Sequence, residues 1–528
     1  MNWGAQRARG LSAVWPALAG ALQAAAIAMP GSGQAQGWLQ VLSLTVLAAG
    51  LAHIVHSAHF AHSPRFALKS AAWSGGIFAA AWLTGCFWWL YVSMHDVGGL
   101  PAPLAALAVL LLASALALYY AAACAAWVAL ARGALRHRPG LASALFAALW
   151  TLAELMRGRW LTGFPWGAGG YAHVDGVLAV WAPWLGVYGI GALAAWLAMR
   201  LALSGWRLRA LKPLVGVLVV SWGLQAWGPS LTTSAGFGQV ELLQANISQN
   251  VKFDVGSGIR DALQWYDARL RSSHQALVVA PETAVPLLPR HLPEGYWAGL
   301  QQHFSRPGQP LALVGVPLGD MAQGYTNSVV SLGPTGFPDY RYDKSHLVPF
   351  GEFMPPGFVW FVRMMNIPLG DFTRGDVAQP SLTFQDERIA PNICYEDLFG
   401  EEVAQYFANA SEAPTVLVNM SNLAWFGDST ALPQHLAISR IRALEFQRPI
   451  IRATNTGATA WVDHKGQVKA ALPAFTRGAL VLEFEGRQGL TPYAQWTLRW
   501  GLTPLWMLCL AIVLFLGFIS RRSGARAL

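Results

Sequence analysis

Ile389-Ala390-Pro391-Asn392-Ile393-Cys394-Tyr395-Glu396-Asp397 carries an apolar, β-like run into a cysteine followed by acidic residues. Cys394 is the only cysteine in the long polar stretch of this chain, whereas Cys86, Cys124 and Cys509 lie in apolar segments. With no local partner for a disulfide, the thiol reads either as a packed core residue or as a nucleophile. Around it, short β-like runs alternate with helical ones. Strands are expected at 239–247, 276–280, 311–316, 326–332, 339–343, 389–394, 415–420, 451–463 and 479–484, and helices at 259–274 and 434–446. Continuous apolar strands mixed with helices predict sheets covered by helices, a layered α/β domain. The stretch 228–238 reads as the linker into this block and 488–495 as the linker out of it.

Outside the block, apolar runs approach the length of a bilayer crossing, and over the whole chain only 12% of the residues are charged. That excludes a wholly soluble protein. Eight candidate spans are read, at 11–29, 38–56, 71–94, 101–131, 141–156, 175–199, 211–228 and 497–519. The fifth is short and holds Glu154, for which Arg157 one turn on is the expected partner. The first lacks a small-residue cleavage site and is followed by further spans, so it reads as a helix rather than a signal peptide. The expected domains are 1–229 with about seven transmembrane helices, 230–490 as the polar block, and 491–528 as a last helix with a short tail.

The net charge is +9, but it is unevenly spread. Residues 230–490 hold 19 Lys+Arg against 24 Asp+Glu, a net of −5, while the remainder holds 17 against 3, a net of +14. The basic residues fall on alternate connections: Arg7 and Arg9; Arg65 and Lys69; Arg132, Arg136 and Arg138; Arg200, Arg207, Arg209 and Lys212; Arg521, Arg522 and Arg526. This is the positive-inside bias rather than a nucleic-acid surface. It predicts both termini in the cytoplasm and the 230–490 block on the opposite, periplasm-like side. His53, His56, His59 and His62 have metal-like spacing but no accompanying carboxylate, and read as interfacial.

Glu282 and Lys344 resemble Cys394 in placement, each following an apolar strand where side chains converge in a crevice. An ammonium lowers the pKa of a nearby thiol, about 8.5 when unperturbed, and a carboxylate in reach can take its proton. The ammonium, with the N–H after the nucleophile, can then hold an oxyanion. From placement alone, a structural Glu–Lys pair with a core cysteine stays open beside this constellation.

Three motifs, Pro281-Glu282-Thr283-Ala284, Tyr342-Asp343-Lys344-Ser345-His346-Leu347-Val348-Pro349-Phe350-Gly351-Glu352 and Ile393-Cys394-Tyr395-Glu396, resemble the Glu-Lys-Cys motifs of the nitrilase superfamily. With the flanking spans, the chain resembles the apolipoprotein N-acyltransferase family along essentially its whole length. Thr162-Gly163-Phe164-Pro165-Trp166, Gln434-His435-Leu436, Arg448-Pro449 and Arg452-Ala453-Thr454-Asn455-Thr456-Gly457 add to the match. The resemblance implies a polytopic helical membrane domain carrying an extracytoplasmic nitrilase-like αββα sandwich, in a bacterial inner membrane. It implies Cys394 as nucleophile, Glu282 as base and Lys344 as oxyanion holder. A phospholipid, phosphatidylethanolamine above all, would donate an acyl chain to the diacylglyceryl-cysteine of an apolipoprotein. A monomer is expected, without cofactor, metal or nucleic acid.

Glu352, Tyr395, Glu396, Phe253, Phe353 and Trp425 are the expected supporting or substrate-binding residues. Asn392 and Asn419 read as satisfying backbone groups at strand ends. The segment 350–367, with Phe353, Met354, Phe358, Trp360, Phe361, Met364 and Met365 between Pro355-Pro356 and Pro368, suits a lipid-facing arm. Two departures touch substrate contact: Lys252-Phe253-Asp254 stands where Lys-Trp-Asp is expected, and Leu423 replaces an expected aspartate in Ser421-Asn422-Leu423-Ala424-Trp425-Phe426-Gly427. The alternatives are a membrane-tethered amidase using the same triad, and a non-catalytic transporter with an external domain.

Overall fold

In the computed structural model, residues 3–57, 63–204, 212–254, 256–358, 360 and 371–524 are described. Outside them lie Phe361, Met364, Met365 and Pro368 of the expected arm, His59 and His62, and Arg207, Arg209 and Arg526. The chain divides into two compact units, one of Met1–Trp88, Pro103–Pro229 and Trp500–Leu528, the other of Trp89–Ala102 and Ser230–Arg499.

Among the described residues, the second unit holds twelve strands: β1 (Thr233–Gln244), β2 (Leu277–Ala280), β3 (Leu311–Asp320), β4 (Gly324–Leu332), β5 (Arg341–Asp343), β6 (Leu382–Phe384), β7 (Glu387–Ile393), β8 (Val416–Ser421), β9 (Ile450–Thr454), β10 (Ala460–Val462), β11 (Val468–Ala471) and β12 (Gly478–Gln488). They form two six-stranded sheets, ordered β12-β1-β2-β3-β4-β5 and β11-β10-β9-β8-β7-β6. In each sheet three neighbouring strands run parallel, β1-β2-β3 and β7-β8-β9, and the flanking strands pair antiparallel. Parallel strands need cover on both faces. This explains why β2, Leu-Val-Val-Ala, is buried at every position.

The sheets face each other through Val240, Leu242, Val279, Leu313, Ile393, Val418, Met420, Ile451 and Ala453. Outside the first sheet, Val278, Ala280, Ala312 and Val314 meet Ile259, Leu263, Tyr266 and Leu270 of the helix Gly258–Ser272, and Leu300 and Phe304 of the helix Tyr296–Phe304. Against the second sheet lies the helix Ala431–Phe446. The result is helix, sheet, sheet, helix, the αββα sandwich expected.

Both linkers are partly structured. The first becomes strand from Thr233 onward. The second runs into the helix Pro492–Trp500, which buries Tyr493, Ala494 and Thr497. Tyr493 packs edge-on against Phe446, with ring centroids 5.5 Å apart. An amphipathic helix of nine residues is easily read as a polar connection.

The segment Trp89–Ala102, read in the sequence as the end of one span and the start of the next, belongs to this same unit. Trp89 Nε1 donates to Gln434 Oε1 at 3.1 Å, and its ring meets Phe426 at 4.4 Å.

In the first unit, five described helices are long and apolar enough to cross a membrane: Gly37–His56, Ala102–Ala131, Pro139–Thr162, Ala179–Ser204 and Thr503–Ser520. A sixth results if Pro64–Phe87 and Leu90–Val97 make one broken span. Helices also stand at the other two of the eight expected positions. The apolar part of the first is Ala13–Ile27, and the seventh, Lys212–Trp227, has 16 residues. Both fall short of a full crossing length among the described residues.

The expected Glu154–Arg157 pair does not form. Glu154 Oε1 instead accepts the Gly169 N–H at 2.9 Å, while Arg157 donates to Tyr120 Oη at 3.0 Å and to the carbonyls of Phe164 and Trp166 at 2.6 and 2.7 Å. Both charges grip the loop that carries Thr162–Trp166. The Phe164 and Trp166 carbonyls and the Gly169 amide offer each charge a partner.

Candidate active site

Glu282 follows β2, in a turn whose next residue, Thr283, has φ 48°. A β-branched residue in this left-handed region is strained. The turn packs on Gly315 of β3, where an added Cβ would lie 2.3 Å from the Pro281 carbonyl oxygen and 2.8 Å from Glu282 Cα. Only a glycine lets β3 approach so closely. Glu282 Oε1 accepts from Asn327 Nδ2 and Oε2 from the Asn422 N–H, both at 2.8 Å.

Lys344 follows β5 and is 1% exposed. Its Nζ lies 2.9 and 2.8 Å from the two carboxylate oxygens of Glu352 and 3.5 Å from Glu282 Oε1. Burial opposes the Lys344 ammonium, but Glu352 and then Glu282 outweigh it and hold its pKa above the usual lysine value. Glu352 Oε2 also accepts the Val348 N–H at 2.8 Å, and its Oε1 shares Asn327 Nδ2 with Glu282. One amide nitrogen thus bridges two carboxylates across the lysine.

Cys394 follows β7 with φ 55° and opens a tight helical turn, Cys394–Leu398. Its thiol pKa is raised well above the ordinary value by burial and by Glu282, which together outweigh the lowering effect of Lys344. Glu282 and Lys344 thus act on the sulfur electrostatically in opposite senses. The structure places Glu282, Lys344 and Cys394 just after strands of the two sheets and Glu352 in the loop that follows Lys344.

Glu396 has a different task from the other carboxylates. It accepts the Ile393 N–H at 2.6 Å, the Ser345 N–H and Oγ at 2.6 and 2.7 Å, and Tyr342 Oη at 2.8 Å. It staples the lysine loop to the cysteine turn. Tyr395 is buried, its ring 5.6 Å from His346 and 5.2 Å from Phe399. Phe253 and Trp425 are half-buried, at the end of the turn Gln249–Lys252 and in the turn Leu423–Phe426. Phe353 is half-buried beneath the Arg374 guanidinium, 5.1 Å from the ring centroid. Leu423 is fully buried and packs where a carboxylate would have needed partners.

Two residues at the site escaped the sequence reading. Asn327 lies mid-strand in β4, where a lone polar residue reads as half of an alternation. Lys252 drew notice only through its aromatic neighbour. It is 2% exposed, and its Nζ donates to Thr283 Oγ1 at 2.6 Å and to the Glu282 carbonyl oxygen at 3.4 Å. Burial pulls its pKa down to about 8, with Glu282 acting weakly the other way. A buried lysine beside a strained turn is a signal that an isolated Lys-Phe-Asp does not carry.

Two family models match the chain: the apolipoprotein N-acyltransferase N-terminal domain over residues 19–200 and carbon-nitrogen hydrolase over residues 239–489. An apolipoprotein N-acyltransferase of Verminephrobacter eiseniae is 51% identical, covering 92% of this chain and 93% of that protein. One of Ralstonia nicotianae is 48% identical, covering 93% and 90%. Among solved structures, a carbon-nitrogen hydrolase from Helicobacter pylori G27 is 17% identical with a TM-score of 0.34, covering 51% of this chain and 94% of that one. Identity of this order along nearly the full length of both chains places the protein in the apolipoprotein N-acyltransferase family.

Proposed function

We propose that this chain moves an acyl chain from a membrane phospholipid to the α-amino group of the diacylglyceryl-cysteine that begins an apolipoprotein, by way of a thioester on Cys394. The observation that carries this reading is the buried Lys344 ammonium, held between Glu282 and Glu352 and acting electrostatically on the Cys394 thiol. The names of the relatives supply the acceptor class. Phosphatidylethanolamine is the donor proposed.

In the first half-reaction, Cys394 Sγ attacks the acyl ester carbon as its proton passes to Glu282. Lys344 and the Tyr395 N–H hold the oxyanion, since donors aimed at developing charge contribute most when already in place. The C–O bond then breaks, and Glu282 returns the proton to the glycerol oxygen, releasing a lysophospholipid. In the second, the lipoprotein amine attacks the thioester and gives its proton to Glu282. The C–S bond breaks, and the departing sulfur recovers that proton. An α-amine with a pKa of about 8 supplies a useful neutral fraction at neutral pH. The protein acts as a monomer, with residues 230–490 on the periplasmic side and both termini cytoplasmic. The distribution of basic residues supports this orientation.

The test is intact-mass analysis after incubation with a labelled phospholipid. A hydroxylamine-sensitive acyl adduct on Cys394, passed on to a diacylglyceryl peptide, is expected. Normal N-acylation by Cys394→Ala overturns the scheme.

A further inference from the structure

At Cys394, a second buried polar cluster closes on the same turn. The Cys394 carbonyl oxygen accepts from His435 Nε2 at 3.1 Å and from Asn419 Nδ2 at 3.2 Å. His435 Nδ1 lies 2.7 Å from Arg452 Nη2. A guanidinium only donates, so Nδ1 is the acceptor and the single imidazole proton sits on Nε2. Burial and then the Arg452 charge keep this imidazole neutral, its pKa well below the ordinary histidine value. Arg452 in turn meets Asp397, three residues beyond the nucleophile, at 3.4 Å. Ser439, one turn beyond His435 on the same helix, donates to Asp397 Oδ2 and accepts from Arg452. Asp397 Oδ1 lies 3.4 Å from His435 Nε2, the longer of the two approaches to that proton. The ring of contacts is closed, and His435 and Arg452 are both fully buried.

The carbonyl so held belongs to the same amide as the Tyr395 N–H. In a planar trans peptide the two point in opposite directions. Fixing the oxygen against His435 and Asn419 therefore fixes the direction of the N–H. Donors at a carbonyl also polarise the amide and strengthen its N–H as a donor.

We propose that His435, with its tautomer set by Arg452, is a positioning residue that aims and polarises the Cys394–Tyr395 amide as the oxyanion donor of the acyl-transfer reaction. This rests on Cys394 being the nucleophile. It assigns roles to the Gln434-His435-Leu436 and Arg452–Gly457 motifs, which the triad leaves without one.

The experiment compares two reactions of the same sulfur in the full-length protein in detergent. Acylation by a labelled phospholipid builds an oxyanion, whereas alkylation by iodoacetamide does not. His435→Leu is expected to slow acylation by about 10- to 100-fold, a fraction of what loss of a whole oxyanion donor costs. It is expected to leave alkylation within about threefold. His435→Gln, whose amide can again donate to the carbonyl, is expected to recover most of the acylation rate. Equal loss of both reactions, unchanged acylation, or failure of His435→Gln to recover any rate overturns the proposal. Alkylation without acylation in the wild-type protein instead sinks the nucleophile reading, so the two failures are distinguishable.

Discussion

Lys344 and Lys252 are hidden to the same degree, 1% and 2% exposed, and both touch the Glu282 turn, yet their surroundings drive them apart. Lys344 faces the carboxylates of Glu352 and Glu282, which overcome burial and hold it charged. Lys252 reaches only the Thr283 hydroxyl and the Glu282 carbonyl, so burial prevails and its pKa falls to about 8. One lysine sits where negative charge develops in the proposed reaction. The other braces the turn that carries Glu282, the proposed base. Burial alone does not decide what a lysine does; an opposing charge within about 4 Å does.

The sharpest way to break this comparison is to remove each ammonium in turn. Lys344→Met leaves Glu282 and Glu352 facing each other with no countercharge. Acylation of Cys394 should fall by at least about a thousandfold, and losing one partner of a buried pair should cost about 3–5 kcal/mol of stability. If Lys252→Met lowers the acylation rate as far, the two lysines do not differ as described.

Gly315→Ala tests the turn that joins the two environments. Its Cβ must displace the Glu282 backbone, and misplacing the base by a fraction of an ångström should slow acylation about 10- to 100-fold. Iodoacetamide labelling of Cys394 should persist. An undiminished acylation rate would mean that the turn tolerates the shift.

Lys252 leaves its mark on pH dependence. Its pKa is about 8 in the folded protein against an ordinary 10.5, so between these values the unfolded chain binds the extra proton. Stability from this group therefore rises with pH across that window, by on the order of 3 kcal/mol at its alkaline end. Melting temperatures of wild type and Lys252→Met between pH 7.5 and 10 should diverge in slope, the variant lacking the rise. Parallel curves would rule out the assignment.

The smallest expected effect is from Thr283→Asp. Aspartate tolerates φ 48° better than threonine and offers Lys252 the carboxylate it lacks. Lys252 should then behave like Lys344, and the alkaline rise in melting temperature should flatten while acylation changes by less than about threefold. A retained rise would show that burial still controls Lys252.

These contrasts divide what the sequence discloses from what it hides. The positions of Glu282 and Cys394 were legible because each follows an apolar run, and that of Lys344 because its motif follows a short strand, and strand ends in a covered sheet converge. The layering was legible for the same reason, through runs such as Leu277–Ala280. Asn327 was not, because its role depends on β4 lying between two carboxylates from distant loops. Glu396 looked like a charge near the nucleophile, and only the fold reveals that it binds backbone N–H groups of two loops. The break at Trp88–Trp89 was invisible because apolar residues continue on both sides of it. The pairing of Glu154 with Arg157 failed because helical spacing says nothing of the loop that competes for both.

The strand order also bears on how the domain is made. The second sheet, β6 to β11, is laid down strictly in sequence. The first takes its outermost strand from the far end of the domain, pairing Thr233 with Gln488. As the chain emerges from the ribosome, β1 must wait for β12 with one edge unpaired, while everything between them is synthesised. Such long-range closure is slow, and an open edge invites wrong partners. Truncation anywhere between Cys394 and β12 would thus spare the Glu282, Lys344 and Cys394 codons and still leave a sheet that cannot be finished.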